Sequence, residues 1–193
     1  MRLFVGIPLP DDIRDRLGGL SGGLPGARWV RPENLHISLR FIGEVAGGDE
    51  IDIDRALQAV GGEAFKLMLA GVGCFDRRGR VHAVWAGIEQ PEALTRLQGM
   101  VVAALVRSGI EPEHRKYKPH VTLARMKNGA PREVVQYLEV QNSFTAGPFE
   151  VARFTLFQSH LGREGPHYQG LADYPLGGWE SPGPFEWPVS SCP

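Results

Sequence analysis

Two stretches from opposite halves of the chain carry one pattern. LHISLRF at 35–41 and PHVTLAR at 119–125 each run histidine, apolar residue, hydroxyl residue, leucine. On a β-strand, side chains alternate between faces with a period of two. His36 and Ser38 therefore share one face, and Ile37 and Leu39 the other. His120 and Thr122 stand in the same relation to Val121 and Leu123. Each strand has an apolar face to give to a core and a polar face bearing one imidazole and one hydroxyl. A chain built around two such strands is expected to form two related lobes that face each other across a cleft.

The remaining segments fit that frame. RLFVGIP at 2–8 reads as a strand closed by Pro8, and Ile13, Leu17 and Leu20 then recur at helical spacing. Asp11 and Asp12 lie near the positive end of that helix dipole. The strand at 35–43 ends at Gly43, and a helix through Ile53, Leu57 and Val60 stops at Gly61-Gly62. Strands at 64–75 and 81–88 flank Asp76-Arg77-Arg78-Gly79, a hairpin signal. Pro91 opens the clearest helix, with an apolar stripe of Leu94, Leu97, Val101 and Leu105. A strand at 119–126, a short helix around Val134, Val135 and Leu138, and strands at 149–159 and about 166–174 complete the order. Strands in hairpins with helices between them predict an α+β fold: two pseudo-symmetric lobes of antiparallel sheet, helices outside. One bilobal domain is expected over 1–176, followed by a Gly/Pro-rich tail at 177–193.

Composition narrows the function classes. A net charge of −1 argues against holding long nucleic acid by bulk electrostatics. Arg115, Lys116 and Lys118 make a local basic run just before His120, of the kind that is ordinarily a solvated loop. Two cysteines make no disulfide framework; Cys74, in an apolar stretch, reads as a small buried residue. No long apolar run suggests a membrane span, and Pro8, Pro10 and two Asp interrupt any signal-peptide core, so a reducing cytoplasm is the simplest address. The six histidines include no HExxH, there is no Cys-x-x-Cys, and no glycine pair has a P-loop ending. No metal and no other cofactor is expected.

If the two histidine strands lie side by side, four groups converge into a lining suited to a phosphate. Opening a cyclic phosphodiester requires water to lose a proton while the departing sugar oxygen gains one. Imidazole titrates near neutrality, so one ring can be neutral while another is protonated. Hydroxyls donate to phosphate oxygens without competing charge, and a cation can stabilise the charge that develops.

With these motifs the chain resembles the 2H phosphoesterases, and among them the bacterial and archaeal RNA 2′,3′-cyclic phosphodiesterases once called 2′–5′ RNA ligases. RLFVGIPLP at the start, WVRPENLHISLRFIGEV at 29–45, RVHAVWAGI at 80–88, YKPHVTLAR at 117–125 and FTLFQSHLGREGPHY at 154–168 carry the likeness. It implies hydrolysis of an RNA or oligonucleotide 2′,3′-cyclic phosphate end to a 2′-phosphate. His36 would protonate the departing O3′ and His120 would handle the attacking water. Ser38, Thr122 and Arg125 would bind the phosphate, and Phe41 would stack on the nucleobase. The spacing of the two motifs is symmetric, so acid and base are distinguished by the resemblance alone. Phe41 and Arg125 each follow a histidine by five residues, which reverses face in a regular strand, so both need a bulge, twist or strand end to reach the cleft. Phe41 reads equally as core beside Leu39 and Ile42. Ser38 stands where the family more often has Thr, which keeps the hydroxyl and loses β-branching.

Other residues have plainer readings. Trp29 and Trp85 read as packing residues and His82 as a structural histidine. His114, His160 and His167 read as surface or cleft-rim residues. A non-catalytic module that binds RNA ends, a phosphodiesterase for another small cyclic phosphate, and reversible 2′–5′ ligation remain alternatives. Neither an obligate protein partner nor a membrane is expected, and the chain reads as a monomer.

Overall fold

Residues 1–129, 131–162 and 165–177 are described by the structure, a computed structural model. Among them, nine strands form one antiparallel sheet with four α-helices. In chain order these are β1 (Arg2–Pro8), α1 (Asp11–Gly18), β2 (Ala27–Trp29), β3 (His36–Glu44), α2 (Asp49–Gln58), β4 (Phe65–Arg77) and β5 (Arg80–Glu89). There follow α3 (Glu92–Arg107), β6 (Val121–Gly129), α4 (Pro131–Gln141), β7 (Thr145–Val151), β8 (Arg153–Gly162) and β9 (Gly165–Pro175). The α+β class follows directly.

The helices form where apolar residues recur at helical spacing, and the stripe is what they bury. Leu94, Leu97, Val101 and Leu105 of α3, with Ile13 and Leu17 of α1 and Ile53 and Leu57 of α2, enter one large core beneath the sheet. Burial of each such side chain contributes about 1.5–3 kcal/mol. In α4 the stripe differs from the one expected. Val134 and Tyr137 are buried in a second, smaller core behind β5 and β6, whereas Val135 is 52% exposed. The Tyr137 hydroxyl donates to the Leu20 carbonyl at 2.8 Å, and burial pushes its phenol up to about 12.

The sheet order is β7-β4-β5-β6-β3-β1-β8-β9, with the short β2 also on β6. Its halves meet at β3 and β6, joined through a single residue pair, Ile37 with Val121. The expected strand at 149–159 is in fact two, separated by Ala152: β7 pairs with β4 and β8 with β1. The phase of the burial explains the break. Phe149 and Val151 point inward at odd positions, Phe154 and Leu156 at even ones, so one straight strand would expose half of them. β7 and β8 stand six strand spacings apart along the sheet order. A flat sheet would separate them by about 29 Å, whereas two residues of chain span at most about 7 Å. The two halves must therefore fold toward one another, which sets up the cleft.

The tail expected from Gly177 falls outside the described residues except for Gly177 itself, whose N–H donates to the Gly62 carbonyl at 2.7 Å. Among the described residues no helix is long and apolar enough to cross a membrane.

Candidate active site

At the joint between the halves, Ile37 and Val121 are fully buried against the core. Their neighbours must then face the other way. Continuing the antiparallel register sets Ser38 across from His120 and His36 across from Thr122, so the four predicted groups share one face. The histidines stand diagonally, at a spacing of about 7–8 Å for such positions.

Both imidazoles are held in the same manner. His36 Nδ1 donates to the Asn34 carbonyl at 2.7 Å, and His120 Nδ1 donates to the Lys118 carbonyl at 2.6 Å. In each case the acceptor lies two residues upstream. A carbonyl accepts and cannot donate, so the proton of the neutral ring stays on Nδ1 and Nε2 keeps its lone pair for the cleft. The Ser38 hydroxyl, 3.0 Å from His36 Nε2, donates to it.

The residues five positions on, Phe41 and Arg125, reach the same face through matched bulges. β1 pairs Val5 with Arg40 and Gly6 with Ser38, leaving Leu39 as the extra residue in β3. β5 pairs Val84 with Ala124 and Trp85 with Thr122, leaving Leu123 as the extra residue in β6. Each bulge falls three residues after its histidine and restores the lost phase. Arg125 is exposed, across from Ala83 of β5 and Arg28 of β2. Phe41 is 48% exposed, with the Arg2 guanidinium carbon 5.0 Å from its ring centroid, so it is not core.

Aromatic walls flank the histidines. Phe4 lies 4.8 Å from His36 between ring centroids, Tyr168 meets His36 edge-on at 5.2 Å, and Phe157 stacks behind Phe4. On the other side Phe75 meets His120 edge-on at 4.9 Å, with Trp85 at 6.3 Å. Trp85 is therefore a wall of the site as well as a packing residue; the apolar run around it gave no sign of this. Two glycines make room. A Cβ on Gly6 would stand 2.9 Å from the Ile37 carbonyl oxygen and 3.3 Å from the His36 ring, and a Cβ on Gly73 would lie 2.3 Å from the Trp85 ring.

Two further residues were missed from sequence. Arg40 is buried, pairs with Glu113 at 3.2 Å and donates to the Glu111 carbonyl, tying the segment before β6 to β3. The Tyr117 hydroxyl donates to the Ser38 carbonyl at 3.1 Å, linking the two motifs directly, and burial pushes its phenol well above the ordinary range. Nothing in the sequence singled out Tyr117, because the bond depends on the fold. Of the other histidines, His82, His114, His160 and His167 are exposed, so a buried structural role for His82 is not what the fold gives it. Cys74 is only half-buried, against the smaller core.

Burial lowers the His36 pKa to about 4, opposed by the bond to the Asn34 carbonyl and reinforced by His120 and Arg125. Burial also lowers that of His120, opposed by its bond to the Lys118 carbonyl and reinforced by the charges of Lys118 and Arg125. Near neutral pH both rings are uncharged in the free protein. Two neutral imidazoles with oriented lone pairs, two hydroxyls and a guanidinium on one polar face suit an anionic phosphoester and the movement of protons around it.

The fold and this site define a phosphodiesterase of the two-histidine class. The chain belongs to the 2′–5′ RNA ligase superfamily, whose family model matches residues 9–163. It is 36% identical over 174 residues to an RNA 2′,3′-cyclic phosphodiesterase of Archaeoglobus fulgidus, covering 89% of this chain and 98% of that one. It is 32% identical over 184 residues to the protein of that name from Methanothermobacter thermautotrophicus, covering 91% and 99%. Among solved structures, the crystal structure of E. coli LigT complexed with 3′-AMP superposes with a TM-score of 0.72 at 28% identity, over 91% of this chain and 97% of that one.

Proposed function

We propose that the protein hydrolyses RNA 2′,3′-cyclic phosphate ends to 2′-phosphates by metal-independent acid–base catalysis. The observation that carries this reading is the pair of imidazoles on adjacent strands, each with Nδ1–H fixed to a main-chain carbonyl and its lone pair on Nε2, which on His36 accepts from the Ser38 hydroxyl. The names of the relatives supply the substrate class.

In this mechanism His120 Nε2 takes a proton from water as its oxygen attacks phosphorus. The P–O3′ bond breaks, and His36 Nε2–H delivers a proton to O3′, leaving the phosphate on O2′. Thr122, Ser38 and Arg125 hold the phosphate oxygens, and the guanidinium neutralises the charge that builds on them. His36 must first acquire its proton. The anionic phosphate favours the imidazolium, so substrate binding raises the His36 pKa from its value in the free site. Phe41 offers its exposed face to the terminal base.

The test is turnover of an oligonucleotide ending in a 2′,3′-cyclic phosphate, with the product phosphate located by NMR and chelator present. His36→Ala and His120→Ala should each lose on the order of 10²–10⁴ in kcat. Near-normal turnover by either variant, or a 3′-phosphate product, would overturn the mechanism.

A further inference from the structure

The two histidines share a backbone frame but differ in the residue that supplies the carbonyl. On one side it is Asn34, buried and uncharged, its side-chain amide donating to the Pro166 carbonyl at 2.8 Å. On the other it is Lys118. The Lys118 Nζ lies 4.4 Å from the Trp85 ring centroid and 5.2 Å from that of Phe75, the same two rings that wall His120. Ring faces attract an ammonium without neutralising it. The described ion pairs nearby join Glu113 to Arg40 and Arg115 and leave Lys118 out.

We propose that Lys118 is a positioning residue that gives His120 the base role: its carbonyl holds Nδ1–H, and its ammonium, held over Trp85 and Phe75, disfavours a second proton on the same ring. The inference rests on the two-histidine reading above. A base must be neutral when substrate arrives, and a fixed cation next to it secures that state. An acid must gain a proton when the anion binds, and Asn34 adds no charge against it.

The surroundings of His120 agree with this. Arg125 on β6 acts on it in the same direction as Lys118, and Arg28 of β2 stands across from Arg125. β3 brings His36, and β5 presents the uncharged Trp85. β4 presents Phe75, with Cys74 and Asp76 next to it, and Cys74 feels both Asp76 and Lys118. Burial is the largest influence on His120, and Lys118 comes first among the charges.

The experiment compares wild type, Lys118→Met, Lys118→Gln and Lys118→Arg in two readouts. One is NMR titration of the His120 ring without substrate; the other is the pH profile of kcat/KM on a cyclic-phosphate oligonucleotide. Loss of the charge should raise the His120 titration midpoint and the limb of the profile that follows it together, by about half a unit to one unit. Activity below the limb then falls about 3–10-fold, the deficit narrows as pH rises, and Lys118→Arg restores the wild-type midpoint. An unmoved His120 midpoint in both neutral variants, with KM raised evenly at every pH, would make Lys118 a substrate contact and overturn the proposal. Wild type inactive on cyclic ends, with the midpoint still moved, would overturn the functional reading and leave this inference standing.

Discussion

His36 and His120 sit in mirrored surroundings, and the mirror is imperfect in one respect. Each ring gives Nδ1–H to a carbonyl two residues upstream, leans on aromatic rings, and precedes a bulge by three residues. The Arg125 charge acts on both rings; beyond it His36 is lined by the uncharged Phe4, Tyr168 and Asn34, whereas His120 also has Lys118. The backbone frame therefore sets which nitrogen faces the cleft, burial keeps both rings neutral, and Lys118 adds a charge that acts on His120. Two similar strands can divide one reaction between them in this way.

The largest effect that would break the comparison uses the leaving group. With sulfur in place of the bridging O3′, the departing thiolate needs no proton. His36→Ala should then recover most of its loss, on the order of 10²–10³ in kcat, while His120→Ala should recover none. Equal rescue of both variants would mean that the halves are interchangeable. The measurement is the ratio of rates on oxygen- and sulfur-bridged substrates for each variant.

A smaller effect separates the two bulge-positioned residues. Arg125→Ala should lower kcat by about 10²-fold, on long and short substrates alike, because it removes charge compensation at phosphorus. Phe41→Ala should act mainly on KM, by about tenfold, and only for substrates that carry a base to stack. Steady-state kinetics on an oligonucleotide and on a base-free ribose cyclic phosphate check both. Matching losses from Phe41→Ala on the two substrates would remove its stacking role.

These residues also show where the sequence was legible. Alternation at His36–Leu39 and His120–Leu123, helical spacing at Leu94–Leu105 and the Asp76–Gly79 hairpin were readable because they depend on near neighbours. That Phe41 and Arg125 needed a bulge, twist or strand end followed from counting faces, but Leu39 and Leu123 look like ordinary strand residues, so the bulge and its position came only from the pairing with β1 and β5. The break at Ala152 was encoded in the shift from odd to even apolar positions and was lost in a run of strand-forming residues. Arg40, Tyr117 and Trp85 had no local signal, since each acts through contacts with segments distant in sequence.

The smallest effect sharpens the comparison through stability. His36 is the more strongly depressed of the two histidines, at about 4 against an ordinary 6.5. Above pH 6.5 the ring is neutral in both folded and unfolded chains and adds no pH dependence. Between 6.5 and 4 the unfolded chain binds the proton and the folded one does not, so stability falls as pH falls and levels off below the folded value. The ring is partly exposed, which trims the full linkage to about 2 kcal/mol. Denaturant unfolding at intervals from pH 7 to 4 should show wild type losing that much more than His36→Gln. Parallel curves would mean that solvent reaches the first imidazole as freely as it reaches an unfolded chain, and burial would then no longer account for its low pKa.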